Sequence, residues 1–315
     1  VEGREQVIEL YRGSINTWEC DEMGHMNVRF YVAKAMEGLA ELSHIVGLGH
    51  AFRANAQSTL RPRDQHIRFI KEAHAGAPFT MMGCLLKVSD TSALLYQQIT
   101  HQSGEPCAAI RTWVDHVDVD TGAPFAWTGD ARRRMQAMTD VSPEACAPRS
   151  IDLGMAPRKT ATMADADAIG APVIGRGVVL PQQIDLTGRM MPEFFIGRVS
   201  DSVGHLLRPW REKVGREAEA RGETAKLGGA VLEYRLAYRR WPRAGDRFVI
   251  RSARGFQKEK THSFVHWLID PVSGEAWCTT EAVAVVLNLA TRKIMPATAE
   301  LQASLREVAP EGLSV

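Results

Sequence analysis

The sequence predicts an α+β fold built twice in one chain, each copy a strand, a long buried helix and four antiparallel strands. Three observations predict it. Asp21–Val32 reads DEMGHMNVRFYV and Asp185–Ile196 reads DLTGRMMPEFFI; aligned without a gap at an offset of 164 residues, they share an Asp, a Gly three places on, a Met five places on and a Phe nine places on. Each copy runs into an apolar pattern of helical period and then into strand-like segments. The hairpin turn Ser103-Gly104-Glu105 of the first copy is answered by Ser273-Gly274-Glu275 in the second.

The elements follow in order. A strand over about 8–18 leads to Asp21, and after it the apolar positions 28, 31, 32, 35, 36, 39, 42 and 46 form one helical stripe that Gly47 and Gly49 end. Strands follow over about 65–72, 78–89, 92–102 and 107–118. The chain then leaves through Thr121–Pro124 into a short helix, Thr128–Met138, and a linker to about residue 172. The second copy repeats the order: a strand over about 173–184, a helical stripe at 195, 196, 199, 203, 206, 207 and 210 with a break expected at Pro209, then strands over about 229–241, 246–256, 261–271 and 276–289. In Val231–Trp241, Leu232, Tyr234, Leu236 and Tyr238 alternate with Glu233, Arg235 and Arg239, the pattern of a half-buried strand. The exit Thr291–Pro296 leads to another short polar helix. The divisions are therefore an N-terminal domain 1–119, a helix and linker 120–172, and a C-terminal domain 173–315.

A length of 315 residues suits two ordinary domains, and 45% hydrophobic with 24% charged residues is the composition of a soluble globular protein. No apolar run approaches the roughly 20 residues that span a bilayer, and VEGREQVIELYRG has no apolar signal core, so neither membrane insertion nor export is expected. Five cysteines without paired spacing read as reduced thiols, as in a cytoplasm. Apart from His25, the histidines look scattered, without metal-ligand spacing, and no metal site is expected. A net charge of +1 gives no global attraction to nucleic acid. The charge is uneven, however: residues 176–315 carry 21 Lys+Arg against 16 Asp+Glu, which reads mainly as a solvated sheet face.

The order strand, D-x-x-G-H-x-N loop, apolar helix and antiparallel strands resembles a hotdog domain of the 4-hydroxybenzoyl-CoA thioesterase-like branch. Asp21, Gly24, His25, Asn27, Tyr31 and Glu37 stand at that branch's spacing. The resemblance covers roughly 8–118 strongly and 173–290 more weakly. It implies tandem hotdog domains, each an antiparallel sheet wrapped around a central helix, forming an internal pseudo-dimer, with further association into a homodimer of such pairs a possibility left open. It also implies hydrolysis of an acyl-CoA thioester, with CoA as part of the substrate and no separate cofactor.

Hydrolysis of a thioester needs an attacking group and a stabiliser for the oxyanion. Asp21 stands in the family's position for nucleophile or general base. Asn27 is a good N-cap, so Val28 opens the helix and offers an unpaired N–H. Loss of one such donor typically costs about 3–4 kcal/mol of transition-state stabilisation. Gly24 and His25 shape the loop, with His25 a packing and hydrogen-bonding residue. In the second copy Pro192 stands where Val28 stands in the first and has no N–H to give; Arg189 replaces His25, Met191 replaces Asn27 and Phe195 replaces Tyr31. The expectation is a catalytic site at Asp21 and an impaired or adapted one at Asp185. Cys20 next to Asp21 reads as an inert thiol.

An acyl pocket is expected between the two helices, lined by Tyr31, Met36, Met190, Met191, Phe194 and Phe195, with Tyr31 also read as structural. Lys258 and Lys260 are candidates for the phosphates of CoA, as are the Arg239–Arg243 turn, Arg61 and Arg63. Competing readings are an acyl-thioester hydratase or dehydratase, a non-catalytic acyl-CoA-binding module, and a thioesterase acting on an acyl carrier protein, whose acidity would suit the basic second half.

Overall fold

The computed structural model describes residues 7–140, 143–220, 227–289, 291, 293–296 and 299–315. Part of the N-terminal reading (residues 1–6), Arg292 in the second exit and the side chain of Pro209 lie outside the described residues. The chain divides into two compact units, Val1–Pro148 with Gln182–Phe194, and Arg149–Pro181 with Phe195–Val315. The division therefore falls inside the stretch read as a linker, and the second Asp loop is counted with the first unit. No described helix is long and apolar enough to cross a membrane.

In the first unit, β1 (Ile8–Ser14) precedes α1 (Val28–Ile45), followed by β2 (Ser58–Phe69), β3 (Pro78–Val88), β4 (Ser92–His101), β5 (Pro106–Asp118) and α2 (Gly129–Ala137). The strands pair antiparallel in the order β1-β3-β4-β5-β2. The stripe on α1 does what its period predicts: Val32, Ala35, Leu39 and Leu42 are buried with Met81, Leu95, Ile99 and Ile110 from the strands. Each large aliphatic side chain so buried contributes about 1.5–3 kcal/mol. The helix stops where glycine was expected to stop it: the Leu48 N–H returns to the Ser43 carbonyl at 2.7 Å around Gly47.

One glycine inside α1 sets the distance between helix and sheet. A Cβ at Gly38 would lie 2.6 Å from Gln97 Nε2 and 2.7 Å from Met81 Sδ. That close approach lets Gln97 Nε2 donate to the Ala35 carbonyl at 2.8 Å, tying the helix interior to β4.

β2 begins seven residues before the predicted start. Pro62 and the charges around it conceal a strand that absorbs them by a bulge: Pro62 pairs with Val114 and Asp64 with Trp113, leaving Arg63 as the extra residue.

The second unit repeats the plan. It contains α3 (Met163–Ala168), β6 (Val173–Val178), α4 (Glu193–Ser202, from Phe195 on), α5 (Gly204–Ala220), β7 (Leu227–Tyr238), β8 (Arg247–Gln257), β9 (His262–Ile269), β10 (Ala276–Asn288), β11 (Lys293–Ile294) and α6 (Ala299–Val308). Its strands pair antiparallel in the equivalent order β6-β8-β9-β10-β7, with β11 added to β10. Two units of one sheet order with a helix between their first and second strands make a tandem hotdog protein. The break expected at Pro209 falls instead at Val203, where the Leu206 and Leu207 N–H groups both turn to the Val203 carbonyl just before Gly204.

The linker departs from expectation in being structured. Thr162 and Asp165 form a capping box, with Asp165 N–H on Thr162 Oγ1 at 3.2 Å and Thr162 N–H on Asp165 Oδ2 at 3.0 Å, and so start α3. Ala161, Ala166 and Ala171 pack on Ala253, Val265, Trp267 and Ile269. The polar residues of β7 are therefore not a solvated face. Glu233, fully buried, accepts N–H bonds from Arg149, Ser150 and Ile151. Arg235 donates to the carbonyls of Asp152 and Met155, Arg239 to that of Arg158, and Arg251 to that of Ala171 and to Asp167. Arg254 pairs with Glu311. Much of the basic excess in this half is spent on fastening its own chain.

Candidate active site

The loop around Asp21 is closed on itself. The Asp21 N–H reaches the His25 carbonyl at 2.8 Å, and the Gly24 N–H reaches the Asp21 carbonyl at 3.0 Å. Gly24 takes φ +77°, a left-handed conformation that glycine adopts without strain. Oδ1 of Asp21 accepts from the N–H groups of Met23 at 2.9 Å and His25 at 3.2 Å, while Oδ2 accepts no hydrogen bond among the described residues. The loop is anchored by Met26 N–H on the Ala73 carbonyl at 2.7 Å and Asn27 N–H on that of Glu19 at 2.8 Å.

Asn27 caps α1 as the sequence predicts, its Oδ1 accepting from the Arg29 N–H at 3.0 Å. Val28 is the first helical residue. Its N–H has no acceptor among the described residues, so it keeps the partial positive charge of a helix start.

The loop around Asp185 repeats these bonds. Asp185 N–H meets the Arg189 carbonyl at 2.8 Å, Gly188 N–H meets the Asp185 carbonyl at 3.0 Å, and Met191 N–H meets that of Gln183 at 2.9 Å. Oδ1 of Asp185 accepts from Thr187 N–H at 2.8 Å and Arg189 N–H at 3.1 Å, and Gly188 has φ +74°. Two differences matter. The Thr187 hydroxyl donates a third bond to the same oxygen, at 2.6 Å. Arg61, on β2 and buried, places Nη2 3.5 Å from Thr187 Oγ1. Burial pulls the Arg61 pKa below its ordinary value, and the charge of Asp185 opposes that pull. The Asp185 carboxylate is thus tied into loop and sheet more fully than that of Asp21.

Arg29 was not singled out in the sequence. Its guanidinium lies 4.1 Å from the centre of the Phe194 ring and 5.1 Å from that of Phe30, a cation held by aromatic faces beside the start of α1. The signal was available: a cation in the first turn of a helix opposes the macrodipole, and a broken local rule marks a place to look. Nearby Glu193 has its carboxyl pushed up, chiefly by burial, with Arg29 acting in the opposite direction.

The other predicted residues separate by environment. Tyr31 is a correction: 4% exposed, with its hydroxyl 3.7 Å from Cys107 Sγ and its ring edge-on to Phe69, it belongs to the helix–sheet core, not to a substrate wall. Burial raises its pKa well above the ordinary value. Met36 and Met191 are half-buried, and Met190 and Phe194 are buried. Phe195 is fully buried in the second unit, edge-on to Tyr238 and Trp241. One apolar cavity of the first unit lies under the C-terminal half of α1, among Leu39, Leu42, Val46, Leu60, Leu95 and Trp127, and none of these predicted residues lines it. Lys258 and Lys260 are exposed on the hairpin between β8 and β9, where the Lys258 N–H closes the turn on the Thr261 carbonyl at 2.8 Å. Arg63 pairs with Asp115 at 3.3 Å and lies over Trp113. Cys20 is no activated thiol: burial first, then the charges of Asp21 and Glu19, raise its pKa.

The scattered look of the histidines is also corrected. His25 Nε2 stands 3.3 Å from Glu72 Oε2, and the His25 and His74 rings meet edge to face at 4.7 Å. The sequence separates these residues by almost fifty positions, and only the pairing of the Asp21 loop with the segment before β3 joins them.

The profile of the Thioesterase-like superfamily matches residues 15–144 and 179–305. Among solved structures, a putative oleoyl thioesterase from Lactobacillus plantarum aligns at 11% identity with a TM-score of 0.66, over 88% of this chain and 95% of its own. An acyl-ACP thioesterase from Bacteroides thetaiotaomicron aligns at 12% identity with a TM-score of 0.61, over 89% and 98%. A 12:0-ACP thioesterase from Umbellularia californica aligns at 10% identity with a TM-score of 0.62, over 89% and 94%. At these identities the likeness is one of fold. No curated protein matches the sequence.

Proposed function

The chain belongs to the thioesterase-like superfamily, and from that premise we propose that it hydrolyses an acyl thioester at the Asp21 loop. Asp21 acts either as the nucleophile on the acyl carbon, breaking the C–S bond to release the thiolate and leaving a mixed anhydride that water then hydrolyses, or as the base that takes a proton from a water attacking the same carbon as the thiolate leaves; both routes consume one water and end in a free acid and a free thiol. The oxyanion formed on the carbonyl is received by the Val28 N–H at the positive end of α1, with the cation of Arg29 beside it. Gly24, His25 and Asn27 hold the loop that presents these groups.

The observation that carries this reading is the contrast between the two loops. They share their backbone bonds, and in each the Asp accepts those bonds on Oδ1, yet the first keeps a helix-start N–H outside them, whereas the second adds the Thr187 hydroxyl to its Oδ1 and has Pro192 in place of the donor. Loss of such a donor lowers turnover by about 10²–10³-fold. The proposed thiol carrier is coenzyme A, with no separate cofactor. A second reading, transfer from an acyl carrier protein, is favoured by two of the fold neighbours bearing acyl-ACP thioesterase names.

The experiment is thiol release across acyl-CoA esters of varied length, charge and aromaticity, and the same acyl group on a carrier protein, with the wild type and Val28→Pro. Proline suits the first position of a helix, so the variant copies the second loop without disturbing the helix start. The expectation is saturable release by the wild type and a loss of about two to three orders of magnitude in kcat for the variant. Release by neither kind of thioester, or full activity of Val28→Pro, contradicts the proposal.

A further inference from the structure

We propose that His25, Glu72 and His74 form a three-ligand site for a divalent transition-metal ion of the zinc class, joining the Asp21 loop to the segment that precedes β3. One donor atom from each residue can be chosen so that all lie within 4.8 Å of one another. His25 Nε2 and Glu72 Oε2 are 3.3 Å apart, and His74 Nε2 and the same oxygen are 3.8 Å apart. Ligands about 2.0–2.1 Å from a tetrahedral ion stand about 3.3 Å from each other, so one edge of the site is already at its bound length. The rest needs a small inward turn of His74, whose side chain is 59% exposed and able to make it.

The backbone beneath the ligands is fixed. Ala73, wholly buried between Glu72 and His74, accepts the Met26 N–H at 2.7 Å, and His25 is bridge-paired with His74. The alternation of an extended segment puts residues 72 and 74 on one side, toward His25. Two imidazoles and a carboxylate suit zinc-class ions, and three protein ligands leave a coordination position open. The ion has a way in, since Glu72 and His74 line an open groove with Lys71, His101 and Glu105. Bound there, it holds the residue whose N–H supports Asp21 Oδ1. The site does not depend on the thioesterase reading, because ion binding is read without turnover.

The test uses the whole chain, stripped with a chelator, then titrated with zinc chloride by calorimetry and with cobalt(II) chloride by visible absorption. The expected result is about one ion per chain. His74→Ala and Glu72→Gln should each weaken binding by more than the ~10–100-fold that follows loss of a ligand's outer hydrogen-bond partner. His74→Asp, which restores a ligand, should recover part of it. Both altered residues are partly exposed, and circular dichroism of each variant checks that the fold is kept. No saturable uptake, or uptake unchanged in both His74→Ala and Glu72→Gln, overturns the site.

Discussion

Replacing each of the two loop aspartates by asparagine should separate catalysis from stability, in opposite directions. In Asp21→Asn the amide oxygen can still accept the N–H groups of Met23 and His25, so the loop survives and only the charge-assisted part of two bonds is lost, about 1 kcal/mol. The lost carboxylate, however, removes the attacking or proton-accepting group, which is worth about 10²–10⁴ in rate. In Asp185→Asn three donors meet a weaker acceptor, and buried Arg61 loses its counter-charge, for a loss of about 3 kcal/mol. For a chain of 315 residues unfolding together that is a fall of roughly 4–5 °C in Tm, against about 2 °C or less for Asp21→Asn. Thiol release gives kcat, and thermal unfolding followed by circular dichroism gives Tm. If Asp185→Asn abolishes turnover while Asp21→Asn keeps it, the assignment of the two loops is wrong.

Two further outcomes follow from the packing. Gly38→Ala would stabilise an ordinary helix interior by about 1 kcal/mol, but here the added carbon meets Gln97 and Met81, so a net loss of about 1–3 kcal/mol is expected in urea unfolding; a gain would refute the close approach. His116, stacked on Trp127, and His266, bonded to Ser252, are held neutral by burial, with pKa values lowered to about 4. The unfolded chain takes up these protons near pH 6.5 and the folded one only near 4, so their contribution is whole above pH 6.5 and falls by about 1.4 kcal/mol per pH unit for each as the pH drops through that window. Unfolding free energies from urea titrations at pH 7.5, 6 and 5 measure the slope. His266→Asn should flatten it, and an unchanged slope would show that His266 is not one of the groups responsible.

The fold was legible because burial writes a period into the sequence. The α1 stripe, the two Asp loops and most of the strands stand within a few residues of where the apolar spacing and the repeat place them, while β2 starts seven residues early and β6 ends six residues short. What escaped was what periodicity does not encode. The start of β2 hid behind Pro62 because a bulge, invisible in composition, absorbs the proline. Glu233 and Arg235 looked like a wet face because their partners are backbone groups some eighty residues away. The capping box of α3 was readable, but an Ala- and Asp-rich stretch offers little apolar pattern to draw the eye. In the loops, the residue types at the proposed site were legible, whereas the bonding that distinguishes Asp185 from Asp21 depends on Thr187 and Arg61 and needed coordinates.

The fastening of the linker has a consequence for dissecting the chain. Cutting between the repeats at the sequence boundary, just before Val173, would remove α3 and the three alanines that roof Trp267, and would leave Glu233 and Arg235 without the backbone groups they hold. A C-terminal piece so trimmed carries a buried carboxylate and guanidinium suddenly facing water on a bared apolar sheet, the makings of an aggregate. The tether between the duplicated halves has become the outer wall of one of them, so the two copies, interchangeable in plan, are no longer separable at the seam where they were joined.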